Sequence, residues 1–172
     1  MNKIIDYLHK NNLRVVMDVV FNHVYDNTKF PFESIIPGYA YRYDDQGLLT
    51  NSSGCGSDLA SERKMVRKFI IDSVMYWARE YKMDGFRFDL SKGFTQKNTL
   101  GDVSGWSAYD QSRVDIWNRI RGEIIKYSPN AYLILEHLAG NDEEKVYEAH
   151  VRDGDYLREA QLRVWQENPE AY

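Results

Sequence analysis

Three short apolar runs constrain this chain more than any other feature. Residues 13–21 (LRVVMDVVF), 83–90 (MDGFRFDL) and 131–136 (AYLILE) are dominated by Val, Ile, Leu and Phe. Stretches with apolar residues at helical spacing alternate with them. These carry Ile4, Ile5 and Leu8, then Val66, Phe69, Ile70, Val74, Trp77 and Tyr81, then Val114, Trp117, Ile120, Ile124 and Tyr127. Strands buried on both faces read as continuous apolar runs, and strands that alternate with helices pair in parallel. The expected class is therefore α/β with a parallel sheet. Asn11 and Asn12 are placed to end the first helix. Ser61 and Glu62 are placed to start the second, as a capping oxygen and a first-turn acid, and Pro129 is placed to stop the third. Residues 22–60 hold two Pro, several Gly and the polar run NSSGCGSD. An irregular stretch of that length is usually functional.

Each apolar run breaks its own pattern at the carboxyl end. The first run leads into Asp18, Asn22 and His23, the second into Arg87 and Asp89, the third into Glu136 and His137. A charge within a buried strand is costly unless paired or functional. In parallel α/β folds ligands sit beyond the carboxyl ends of the strands, and barrel enzymes draw catalytic groups from several of those ends. The residue types narrow the chemistry. No nucleophile elbow, Gly-rich phosphate loop, HExxH or Cys/His cluster is present. Two carboxylates facing one bond are the equipment of a glycosidase. Arg87, two residues before Asp89, points to the same side of its strand and would hold Asp89 as a carboxylate. Glu136, in an apolar strand, is suited to proton donation.

Composition excludes other classes. The net charge of −4 argues against a nucleic-acid partner, which wants a basic face. No apolar run approaches the ~20 residues of a membrane-spanning helix. The single cysteine, Cys55, allows no internal disulfide. No basic segment followed by an apolar one marks a signal peptide, and the compartment stays open. Aromatic residues reach 14%, with thirteen Tyr and four Trp, which fits either core filling or rings packed against sugar faces. By their spacing Trp77 and Trp117 read as core, whereas Trp106, in a loop, is open to a sugar contact. Asp110 and Asp115 read as a solvated helix face, and His9 and His150 as solvated.

The motifs resemble a known family. The run from Asp18 through Asn22 and His23 (DVVFNH) resembles the first signature of the α-amylase superfamily, glycoside hydrolase family 13, at its third barrel strand. Residues 85–89 (GFRFD) resemble the second signature, at strand four, and residues 135–137 (LEH) stand where the third lies, at strand five. Order and spacing also fit, with 71 residues from Asp18 to Asp89 and 47 from Asp89 to Glu136. The resemblance implies part of a (β/α)8 barrel, about strands three to five, over residues 1–149, with residues 150–172 as an unassigned tail. It implies a retaining mechanism on α-glucans, with Asp89 as nucleophile and Glu136 as acid/base. Asp18, His23, Arg87, Lys92 and His137 would bind substrate. No cofactor is required, although Asn22 falls where some α-amylases bind a structural calcium. The family's calcium sites often place a His where this chain has Gly93, which puts calcium in doubt.

Subfamily signals conflict. Residues 51–63 and the helix after them resemble debranching enzymes such as type I pullulanases, which usually carry Asn where this chain has Ser57. Residues 89–96 and 131–144 look more like α-amylases, and because they carry the catalytic acids the reading leans that way. A branching or transglycosylating enzyme, or a non-catalytic amylase-like binding module, remains an alternative. A complete barrel takes eight strands and about 250 residues. The chain therefore reads as a central segment, and the 172 residues alone are expected to show little or no hydrolysis in a reducing-sugar assay.

Overall fold

The computed structural model describes residues 2–140 together with Asp142, Glu143 and Lys145; the tail 150–172 lies outside the described residues. In chain order, helix α1 (Asn2–Lys10) precedes strand β1 (Val16–Val19), and β2 (His23–Val24), α2 (Phe32–Ile35) and β3 (Ser57–Asp58) follow. Helix α3 (Lys64–Tyr81), strand β4 (Gly85–Phe88), a 3-10 turn (Ser91–Phe94), α4 (Val103–Ser107), α5 (Gln111–Tyr127) and β5 (Tyr132–Leu135) complete it. The expected α/β class holds. Strands β1, β4 and β5 form one parallel sheet in that order, with Asp18 level with Arg87 and Arg87 level with Ile134. The ordered strands are shorter than the apolar runs that announced them, four residues each.

Alternation along the strands gives the sheet two unlike faces. Phe86 and Phe88 are fully buried against the helices, with Phe88 4.8 Å from the ring of Trp117. Helix α3 brings Val66, Ile70, Val74 and Ala78 to this core, four residues apart and hence on one stripe. Helix α5 adds Val114, Trp117, Ile120 and Ile124. Burying one such side chain is worth about 1.5–3 kcal/mol, so this layer holds the sheet together. The other face carries Val16, Asp18, Val20, Arg87 and Ile134, and Val16 and Val20 remain exposed on it.

The ends of the elements correct several expectations. Asn12 adopts a left-handed φ of 59°, as expected of the residue closing α1. Helix α3 starts at Lys64 without a side-chain cap, and Ser61 and Glu62 instead receive hydrogen bonds from the buried Arg42. Asp110 is not on a solvated face: it is buried and caps α5 by accepting from the Ser112 N–H at 2.9 Å. Burial pushes its carboxyl up, but bonds from Ser112 and Thr95 and the charge of Arg113 outweigh this and hold it below the usual carboxylate range. His9 is half-buried, with Nε2 2.8 Å from Asp84, whose same oxygen accepts from the Val15 N–H at 2.6 Å. That pair ties α1 to the entry of the sheet.

Gly85 must be glycine for a packing reason. A Cβ there would lie 2.6 Å from the Cβ of Tyr132 and 2.7 Å from its carbonyl oxygen, on the neighbouring strand. Gly85→Ala should therefore push β4 and β5 apart and cost about 1–3 kcal/mol. The urea midpoint reads this, and an unchanged midpoint would refute the clash.

Candidate functional site

The long stretch after β1 is anchored rather than loose. Its hairpin pairs His23 with Asp58 and Val24 with Ser57. Asp58 is buried and accepts from Thr50 Oγ1 at 2.8 Å and from the Ser52 N–H at 3.0 Å. Arg42 donates to the carbonyls of Gly93 at 3.1 Å and Thr95 at 2.6 Å, which joins the stretch to the segment just after Asp89. These interior polar bonds hold His23 at the carboxyl end of the sheet.

Arg87 is the hub there. Its Nη1 donates to Asp18 at 2.7 Å and lies 3.6 Å from Asp89 Oδ1; its Nη2 lies 2.8 Å from Glu136 Oε1. One planar guanidinium thus faces three carboxylates from three strands. Register explains this. Asp18 and Arg87 are level on β1 and β4, and Asp89 lies two residues further on the same side. The Glu136 N–H bonds to the Phe88 carbonyl at 3.1 Å, so Glu136 steps off β5 beside Asp89. Burial draws the guanidinium of Arg87 down, but the charges of Glu136, Asp18 and Asp89 outweigh it and raise it above its ordinary value. Three carboxylates against one guanidinium leave the site negative. That suits stabilising positive charge at a reacting carbon.

The loops after β4 and β5 clasp each other. Leu90, next to Asp89, has a left-handed φ of 43°, and its N–H donates to Glu136 Oε2 at 3.1 Å. Leu138, two residues after Glu136, is also left-handed at 53°, and its carbonyl accepts from Lys92 Nζ at 3.2 Å. Such backbone costs about 1–3 kcal/mol for a non-glycine residue and persists only where surroundings impose it. Ser91 donates through its N–H to the Glu136 carbonyl at 2.8 Å, and its Oγ lies 2.9 Å from His137 Nδ1.

Each expected residue has a definite place. Asp18, Arg87, Asp89 and Glu136 come together, and His23 is linked to them through Asn22, whose Oδ1 lies 2.5 Å from His23 Nδ1. Glu136 does not have the apolar setting expected of it: it is half-exposed and bonded to Arg87 and Leu90. His137 is buried between Ser91 and Glu143, a setting that does not fit a substrate contact. Lys92 reaches across the clasp. Asn22 is buried, with its amide donating to the Asp89 carbonyl at 2.7 Å and its oxygen turned to His23. Both ends of that side chain are thus engaged within the chain. Among the described residues no three His, Cys, Asp or Glu side chains gather to hold a metal. Gly93 lets Asn22 and Trp106 close in, since a Cβ there would meet them at 2.8 and 3.0 Å. Trp106 is 0% exposed, so the sugar contact left open for it is closed off.

Residues that the sequence did not single out also matter. Arg113 and Glu143 form a buried pair at 2.6 Å, and Arg113 also donates to the carbonyls of Lys92, Trp106 and Ala108. The signal was present, since Arg113 is a charge directly beside the buried Val114 of an amphipathic helix.

The parallel sheet thus gathers two acids and a shared arginine at its carboxyl ends, an arrangement compatible with two-carboxylate chemistry on one bond. No family model matches the chain. It is 54% identical over 90 residues to a pullulanase of Bacillus subtilis, covering 52% of this chain and 12% of that protein. It is 41% identical over 98 residues to the chloroplastic isoamylase SU1 of Zea mays, covering 55% and 12%. A crystal structure of pullulanase from Paenibacillus barengoltzii, in complex with maltohexaose and alpha-cyclodextrin, superimposes with a TM-score of 0.66 at 36% identity. That match covers 78% of this chain and 18% of the other. The matched segment thus spans about an eighth of the curated relatives' length, and the resemblance to the α-amylase superfamily holds for it. These relatives are named pullulanase and isoamylase, and of the two subfamily leanings they lie on the pullulanase-like side. Among the described residues no helix is long and apolar enough to cross a membrane.

Proposed function

We propose that this chain carries the catalytic acids of a retaining α-glucan glycosidase of the debranching type, within the third to fifth strands of a (β/α)8 barrel. The observation that carries this is the single guanidinium of Arg87 facing Asp18, Asp89 and Glu136 together. Two carboxyls that share one small cation can also share one sugar. The pullulanase and isoamylase relatives supply the substrate class.

Asp89 attacks the anomeric carbon while the glycosidic bond breaks, and the Glu136 carboxyl gives its proton to the departing oxygen. Glu136, now a carboxylate, takes a proton from water. That water attacks the same carbon and releases Asp89. Two inversions give net retention. Asp18, His23 and Arg87 hold the sugar being cleaved, and Lys92 borders it. His137 holds the loop of Glu136 rather than the sugar.

A 5-fluoro-α-glycosyl fluoride slows the second step and traps the covalent sugar. Digestion and mass spectrometry of the full-length protein should find the adduct on the peptide carrying Asp89. An adduct on another carboxylate would move the nucleophile. No adduct and no release of reducing ends from pullulan would favour a non-catalytic binding module.

A further inference from the structure

Buried polar groups close a ring that joins the loop after Asp89 to the loop after Glu136. Ser91 Oγ lies 2.9 Å from His137 Nδ1, and His137 Nε2 lies 3.4 Å from Glu143 Oε1. Arg113 grips Glu143 through Nε and Nη2, both at 2.6 Å. Arg113 Nη1 then donates to the carbonyl of Lys92, the neighbour of Ser91, at 2.7 Å. The side chains of Ser91, His137, Glu143 and Arg113 are all buried. We propose that His137 is a positioning residue: held between Ser91 and Glu143, it fixes where the Glu136 carboxyl stands relative to Asp89, and so sets how well the leaving oxygen is protonated. This rests on the glycosidase reading and deepens it.

Three observations carry it. The ring grips the chain beside both acids. Ser91 stands two residues after Asp89, and its N–H also donates to the Glu136 carbonyl at 2.8 Å. One residue therefore holds Glu136 twice, directly and through His137. The ring is also enclosed. Its members meet neither solvent nor a sugar at the mouth, so their bonds serve geometry, and a low dielectric strengthens each of them. The backbone at both ends of the grip is strained, finally. Leu90, just before Ser91, and Leu138, just after His137, are left-handed at 43° and 53°. Such backbone persists only where its surroundings impose it. An imidazole suits the task. With its hydrogen on Nε2, facing the Glu143 carboxylate, it accepts the Ser91 hydroxyl proton at Nδ1. A phenyl ring would fill the same space with neither bond.

The full-length protein tests this on two substrates. The leaving oxygen of pullulan needs a proton, whereas the leaving group of α-maltosyl fluoride needs little help. For both, kcat/KM reports formation of the covalent sugar. His137→Phe should lower kcat/KM for pullulan about ten- to a hundredfold, the scale of a misplaced catalytic group, and for the fluoride no more than about threefold. Ser91→Ala deletes a single hydroxyl and is the milder variant for folding. It should lower the pullulan value alone, by roughly three- to tenfold, the scale of one hydrogen bond. His137→Asn, whose side-chain oxygen reaches the place of Nδ1, should fall between His137→Phe and the parent. Equal losses on both substrates would mark a merely structural role and overturn the proposal. Unchanged rates in both His137→Phe and Ser91→Ala would also overturn it and leave the glycosidase reading standing. A parent that cleaves neither substrate would sink the glycosidase reading and the positioning role with it.

Discussion

Asparagine in place of Asp89 should lower turnover of pullulan by about four orders of magnitude, the scale seen when a group central to covalent catalysis is lost. The change keeps the side chain's shape and removes its charge. The side chain is 30% exposed at the mouth rather than in the core, so folding should survive. What disappears is the anionic oxygen that bonds to the anomeric carbon. Asp89→Ala leaves a gap in which azide can act instead. The azide nitrogen attacks from the same side, Glu136 protonates the departing oxygen, and one inversion converts an α-glycoside into a β-glycosyl azide. Glu136→Ala should behave differently. It should slow substrates that need a proton on the leaving group, and should spare formation of the covalent sugar from an α-glycosyl fluoride, whose leaving group needs little help. Initial rates and product configuration by NMR decide the matter. Hydrolysis by the Asp89→Asn protein within tenfold of the parent would refute the assignment.

The second large effect is on stability. Arg113→Met should destabilise the fold by about 3–5 kcal/mol, because it strands a buried carboxylate. Arg113 and Glu143 are 0% and 1% exposed, so solvent cannot compensate. The same substitution removes the donors to the carbonyls of Lys92 at 2.7 Å, Trp106 at 2.8 Å and Ala108 at 2.9 Å. Replacing both partners, Arg113→Met with Glu143→Met, should recover much of the loss, since a buried ion pair exchanged for apolar groups is often near neutral. Urea denaturation of the four proteins forms the cycle. A cost below about 1 kcal/mol for Arg113→Met alone would show that the pair is not what holds α5 to the loop after β5.

Much of the site was legible without coordinates because its residues interrupt local patterns. Asp18 stands in a run of valines, Arg87 and Asp89 among phenylalanines, and Glu136 after three apolar positions. The same pattern misled where a neighbour came from far along the chain. Trp106 looked available to a ligand, yet it packs beside Gly93 under a loop that Arg42 ties down. Asp110 looked solvated, yet Thr95 and the first turn of α5 enclose it. Ser61 looked like a cap, yet Arg42 and Gln96 claim its hydroxyl.

The amino-acid order by itself determined the alternation of strands and helices, the faces those elements bury, and which two acids the proposed mechanism uses. Each of these depends on periodicity or on a charge out of place, which a few neighbouring residues express. The tertiary structure alone decided that one arginine would serve three carboxylates. Asp18 and Arg87 are 69 residues apart in the chain, and parallel pairing brings them level. Pairing in parallel requires a crossover helix between strands. The contacts that make the site therefore lie between segments with no local trace of each other.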